Sequence, residues 1–83
     1  MINKTYQKLM RLSEVLDMYP VSRSTLYKQI NRGLFPMPVH VSDSSVAWIE
    51  SEIEAILLAK IQQTDTAQIR QLVRTLKNRR SSI

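Results

Sequence analysis

The sequence predicts a mainly α-helical domain with one small β-hairpin. Apolar residues recur at helical spacing in several short stretches, two of them in close succession before the only glycine of the chain. Pro36 and Pro38 interrupt that pattern and lead into an alternation of Val39 and Val41 around His40. With 83 residues and 43% hydrophobic content, there is room for a single modest core.

Residues 1–8 carry no clear boundary signal and are assigned to an N-terminal arm, flexible or helical. Ser13 is the expected N-cap of a short helix through Met18, because its oxygen can accept from an orphan backbone N–H. Leu12, Val15 and Leu16 share one face of that helix. Tyr19-Pro20 ends it, since the residue before proline avoids the α region. Ser22 caps a second helix, Arg23 to Arg32, with Leu26 and Ile30 pointing one way. Gly33 follows its last turn, where a left-handed residue is wanted. The tract from Val15 to Ile30 therefore has a helix-turn-helix layout.

The hairpin is expected to run from Pro38 to Val41, turn through Ser42-Asp43-Ser44-Ser45, and return at Val46 near Ala47. A third helix follows from about Trp48 to Ile61, with Ile49, Ile53, Ile56 and Leu57 on its inner face. Gln62 to Asp65 is a polar break. Asp65 or Thr66 then caps a last helix with the stripe Ile69, Leu72, Val73 and Leu76. Two turns of stripe are short for a coiled coil, which favours folding back on the core over a dimer seam. The tail from Lys77 is expected to fray. Residues 9–62 thus form the main domain, and residues 63–83 a C-terminal helix with a basic tail.

Composition removes several classes of function. There is no cysteine and one histidine, which leaves no disulfide and no Cys- or His-rich metal site. One glycine cannot build a phosphate-cradling loop. No serine has a histidine and acid arranged beside it for nucleophilic catalysis. Glu50, Glu52 and Glu54 fall on the expected outer face of the third helix, which suits a solvated surface rather than acid–base work. No enzyme activity and no cofactor are therefore expected. Trp48 and Phe35 sit among apolar residues and are assigned to the core rather than to base stacking. The start, Met-Ile-Asn-Lys-Thr-Tyr-Gln-Lys, is polar, and no run is long and apolar enough to span a membrane, so a cytoplasmic protein without membrane contact is expected.

The net charge is +5 and is unevenly spread. Residues 1–42 hold six basic and two acidic side chains, residues 43–65 one and five, and residues 66–83 five and none. A basic chain of this size favours a polyanionic partner, with the acidic middle turned away from it. On the second helix, Arg23, Ser24, Tyr27, Lys28 and Asn31 lie opposite Leu26 and Ile30, with Thr25 and Arg32 beside them and no carboxylate among them. Arginine can pair with guanine O6 and N7, serine and threonine can reach bases or phosphates, and tyrosine and lysine suit phosphates. Double-stranded DNA is the partner this face implies. Lys8 and Arg11 are candidate phosphate contacts, and Arg70, Arg74, Lys77, Arg79 and Arg80 add a separate basic surface for non-specific ones. Ser42 and Ser44 are candidate contacts at the hairpin turn.

Four motifs in order, Arg11-Leu-Ser-Glu-Val, Val21-Ser-Arg-Ser-Thr-Leu-Tyr, Gly33-Leu-Phe-Pro-Met-Pro-Val and Val46-Ala-Trp-Ile-Glu-Ser-Glu-Ile-Glu-Ala, resemble the AlpA family of prophage-associated regulators. The resemblance covers about residues 9–58. It implies a MerR-like winged helix-turn-helix, related to phage excisionases, in a bacterial or phage setting. It also implies transcriptional control or direction of site-specific recombination, with a phage integrase as a possible partner and several copies together on DNA. The turn Val41-Ser-Asp-Ser-Ser lacks the glycine or arginine often found there, and the C-terminal helix lies outside the resemblance. A module that docks an integrase or polymerase subunit through the Ile69–Leu76 stripe is the rival reading.

Overall fold

A computed structural model describes residues 7–82, so the expected N-terminal arm lies outside the described residues except for its last two positions. The chain runs β1 (Leu9–Met10), α1 (Leu12–Met18), α2 (Arg23–Asn31), β2 (Val39–Ser42), β3 (Ser45–Ile49), α3 (Glu50–Ile61) and α4 (Thr66–Arg79), and closes on a 3-10 turn, Arg80–Ser82. The three strands form one antiparallel sheet in the order β1-β3-β2. This is a winged helix-turn-helix with an added C-terminal helix.

Helix α1 starts one residue before Ser13, not at it. Arg11 is the N-cap, and Glu14 accepts its backbone N–H at 2.8 Å. That is one half of a capping box; a guanidinium has no acceptor for the other half. The carboxylate three residues on therefore outcompetes the serine as the starting signal. Val15 is fully buried, and Leu12 and Leu16 pack beside it as their spacing requires. Tyr19 leaves the helix extended, stacks on Phe35 with ring centroids 5.0 Å apart, and donates its hydroxyl to Gln29 at 2.6 Å. The turn between α1 and α2 is thereby fastened to the underside of α2.

The sheet has one more strand than the hairpin expected from sequence. Leu9 and Met10 pair with Ile49 and Trp48. A two-residue strand is too short to show a period, which is why β1 is not visible in the sequence. Trp48 and Ile49 belong to β3, not to the start of α3. β3 is the central strand, and Ala47, Trp48 and Ile49 are all buried, so the strand reads as a continuous apolar run that merges with the helical pattern after it.

Trp48 lies at the centre of the core with Phe35, Leu26, Ile53, Ile56 and Val15, all essentially without solvent exposure. Its indole N–H donates to the Pro36 carbonyl at 3.1 Å, which satisfies the polar edge of an otherwise apolar ring. Helix α4 covers this core from outside. Asp65 caps it by accepting from the Gln68 N–H at 2.9 Å, and Ile69 and Leu76 are buried in the same cluster. The apolar stripe is thus covered within one chain.

Two charged residues depart from their expected places. Glu52 is 4% exposed rather than solvated. The tail does not fray at Lys77: the helix continues to Arg79, and Arg80 turns inward to bind Glu52 through Nε at 2.9 Å and Nη2 at 2.6 Å. The two residues are 28 positions apart, and nothing in local periodicity announces the pairing. Losing one partner would strand a buried charge, at about 3–5 kcal/mol, although an apolar pair of the same volume could replace both with little loss.

Helix α3 ends in the same way as α2. Gly33 (φ +74°) and Gln63 (φ +58°) are left-handed, and the following residues, Leu34 and Thr64, return their N–H groups to the carbonyls of Gln29 and Ala59. At position 63 a side chain occupies a conformation that glycine enters freely.

Trp48→Ala is expected to lower stability by about 3–5 kcal/mol in urea unfolding, enough to unfold much of a domain this small. A variant that unfolds at the wild-type midpoint would show that the indole carries no such share of the core. Gln63→Gly is expected to raise stability by about 0.5–1 kcal/mol, because relief of the left-handed strain outweighs the added freedom of the unfolded chain. An unchanged or lowered unfolding midpoint would contradict this.

Candidate nucleic-acid interface

Helix α2 is held by its ends and by one face. Ser22 accepts the Thr25 N–H at 3.1 Å and donates its hydroxyl to Thr25 Oγ1 at 2.9 Å, so the N-terminus is capped as the sequence implies. At the other end, the Gly33 and Leu34 N–H groups bind the carbonyls of Ile30 and Gln29. Leu26 is fully buried, and Ile30 packs against the core cluster.

This leaves Arg23, Ser24, Tyr27, Lys28, Asn31 and Arg32 exposed together, with Thr25 half-buried beside its cap. No acidic residue interrupts them. The face carries three cations, a phenol, a hydroxyl and an amide. Tyr27 has a double attachment: it is 38% exposed, and its ring packs edge-on against Trp48 with centroids 6.4 Å apart. The core therefore fixes where this ring stands on the exposed face.

The other sequence candidates fall elsewhere. Ser42 and Ser44 are exposed on either side of Asp43 at the tip of the β2–β3 hairpin, where the register shifts between His40 and Ser42. Arg11 is exposed and lines an open hollow with Ser44, Val41 and Val46, so it belongs with the hairpin rather than with α2. Lys8 is exposed and lies 3.7 Å from Glu50, a surface pair that holds it only weakly.

The C-terminal arginines are not one uniform basic face. Arg80 is committed to Glu52. Those hydrogen bonds hold its guanidinium above the ordinary arginine value, burial opposes the rise, and the Glu52 charge adds to it. Arg70 donates Nε to the Arg32 carbonyl at 2.9 Å and passes over Gly33. Arg74, Lys77 and Arg79 remain exposed. The contacts of Arg70 and Arg80 could not be read from sequence, because their acceptors are backbone carbonyls and a carboxylate far along the chain.

A cavity of about 340 Å³ lies between the end of α2 and α4, with Ile30, Phe35, Met37 and Val73 in its wall. It holds no constellation of acid, base and nucleophile. Among the described residues, no helix is long and apolar enough to cross a membrane.

A family model described as "Prophage CP4-57 regulatory protein (AlpA)" matches residues 8–57. The matched segment runs from β1 into α3 and stops before α4. "Uncharacterized protein ORF88" of Enterobacteria phage P4 is 37% identical over 57 residues. The alignment takes in 69% of this chain and 65% of that protein, so the chain spans just under two thirds of the relative's length.

Ser22→Ala is expected to cost about 1 kcal/mol of stability by releasing the first turn of α2, whereas Ser22→Gly should cost only a few tenths. Thermal unfolding of the two variants checks this; an unchanged midpoint in Ser22→Ala would mean that the side-chain oxygen contributes nothing as a cap.

Proposed function

The chain belongs to the AlpA family of prophage regulatory proteins, and on that premise we propose that it is a sequence-specific double-stranded-DNA-binding regulator of a mobile element. The observation that carries this reading is the exposed, acid-free face of α2, rigidly presented by a helix-turn-helix. Such a helix enters the major groove, with its N-terminal residues towards the base edges. Arg23 and Ser24 stand in that first turn, Tyr27 and Lys28 follow one turn on, and Asn31 a further turn on. Arg32 and Arg11 supply backbone contacts.

The hairpin is the wing and approaches the minor groove or the phosphates. Its tip carries Asp43, which phosphate repels, so Ser42 and Ser44 offer hydrogen bonds without charge. The larger electrostatic share falls to α2 and to the exposed cations of α4, and binding weakens steeply with salt. The protein acts by occupying DNA, with no chemical step of its own, in the bacterial cytoplasm.

Footprinting on DNA flanking the mobile element tests the reading and its finer form. Protection over a promoter corresponds to transcriptional control. Protection of several adjacent copies at an attachment site corresponds to direction of excision beside an integrase. Absence of any protected site at moderate salt would overturn both.

Arg23→Ala is expected to weaken specific binding by about 1–3 kcal/mol, the range of a good bidentate base contact, and to relax preference at one base pair. A titration in which affinity and base preference are both unchanged would remove α2 from the role of reading element.

A further inference from the structure

Helix α4 and the 3-10 turn after it lie outside the matched segment 8–57, yet together they grip both ends of the connector between α2 and the wing. At one end, Arg70 Nε donates to the carbonyl of Arg32, the C-cap of α2, at 2.9 Å. This carbonyl is among the acceptors that a helix leaves unpaired at its C-terminus, where a cation is also favoured by the helix dipole. At the other end, Arg80 Nη2 donates to the carbonyl of Met37 at 2.7 Å, two residues before β2 begins. Arg80 cannot swing freely, because the same guanidinium is forked onto buried Glu52.

Between these two points the connector has no strand pairing of its own. It turns at left-handed Gly33, buries Phe35, and offers the Pro36 carbonyl to Trp48. Those contacts fix its middle. The two arginines fix where it leaves the helix and where it enters the wing. A groove-reading helix and a wing bind together only if their relative placement is held to about half an ångström, by groups behind the contacting ones.

We propose that α4 with its closing 3-10 turn is a brace that sets the angle between the recognition helix and the wing, with Arg70 and Arg80 as positioning residues rather than phosphate contacts. The proposal rests on the DNA-binding reading above. It separates Arg70 from Arg74, one turn along the same helix, which is exposed and has no hydrogen bond or ion pair among the described residues. A phosphate contact weakens binding to every duplex and takes about 0.9 off the salt slope when removed. A brace weakens binding only to the duplex that needs both elements in place, and leaves the slope alone.

The test uses the full chain and a duplex that it selects from a random-sequence pool, beside an unrelated duplex, over a series of salt concentrations. Arg70→Ala is expected to lose about tenfold in affinity for the selected duplex, as for one charge-assisted hydrogen bond, with its salt slope and its binding to the unrelated duplex unchanged. Arg70→Gln should recover most of that loss, since the glutamine amide nitrogen can stand where Arg70 Nε stands, without the charge. Arg80→Ala strands Glu52 and can unfold the domain, so Glu52→Leu with Arg80→Met takes its place. That pair keeps the core apolar, drops the Met37 bond, and should behave as Arg70→Ala does.

If Arg70→Ala flattens the salt slope and weakens both duplexes alike, or if Arg70→Gln recovers nothing, Arg70 is a phosphate contact and the brace is overturned while the DNA reading stands. Full affinity in both Arg70→Ala and the paired variant also overturns it. If the wild-type chain selects no sequence at all, the DNA reading falls and the brace falls with it.

Discussion

The whole fold depends on burying one indole. Trp48 stands in the central strand, between the short β1 and the hairpin strand β2. Its ring is fully buried, and its single polar atom is satisfied by the Pro36 carbonyl. Tyr27 of α2 leans on its edge, so the exposed helix is referenced to the same ring. A small domain has few large side chains to spend, and this one spends its only tryptophan where three elements need a common anchor.

Much of this was legible in the sequence because the signals are local. Ser22 before Arg23, Leu26 and Ile30 four apart, and Gly33 after the last turn define α2 within two residues. Pro36 and Pro38 mark the end of helical structure, and Asp65 caps α4 as its position suggests. What was missed is non-local. β1 exists only because Leu9 and Met10 meet Ile49 and Trp48 some forty positions later. Helical periodicity carries the expected start of α3 back to Trp48, because β3 is apolar on both faces. Glu52 looked like a third surface glutamate, since helical periodicity registers which face is apolar but cannot register a cation arriving from Arg80.

The basic residues show the same limit for the candidate interface. Periodicity grouped the α2 cations correctly, because Leu26 and Ile30 define the buried side. It placed Arg70, Arg74, Lys77, Arg79 and Arg80 in one basic surface, because composition counts charges without their acceptors. In the folded chain Arg80 turns inward to a carboxylate and a carbonyl, and Arg70 stays on the surface but is bonded to the Arg32 carbonyl. The interface that remains is narrower and better defined than net charge suggests: a capped helix with an uninterrupted polar face, and a hairpin whose tip is not basic.

The Arg80–Glu52 pairing has a bearing on how long such a regulator persists in a cell. Arg80 sits in the last short turn described, beyond the final α-helix. Loss of the Arg80 side chain removes more than a surface cation. It leaves a carboxylate in an apolar interior, and the cover over the core becomes prone to opening. Proteases act on opened chains, so one lost contact at the edge is amplified across the whole molecule. The pair thus behaves as a latch: while it is closed the core stays sealed, and once it is released the whole chain is exposed to degradation.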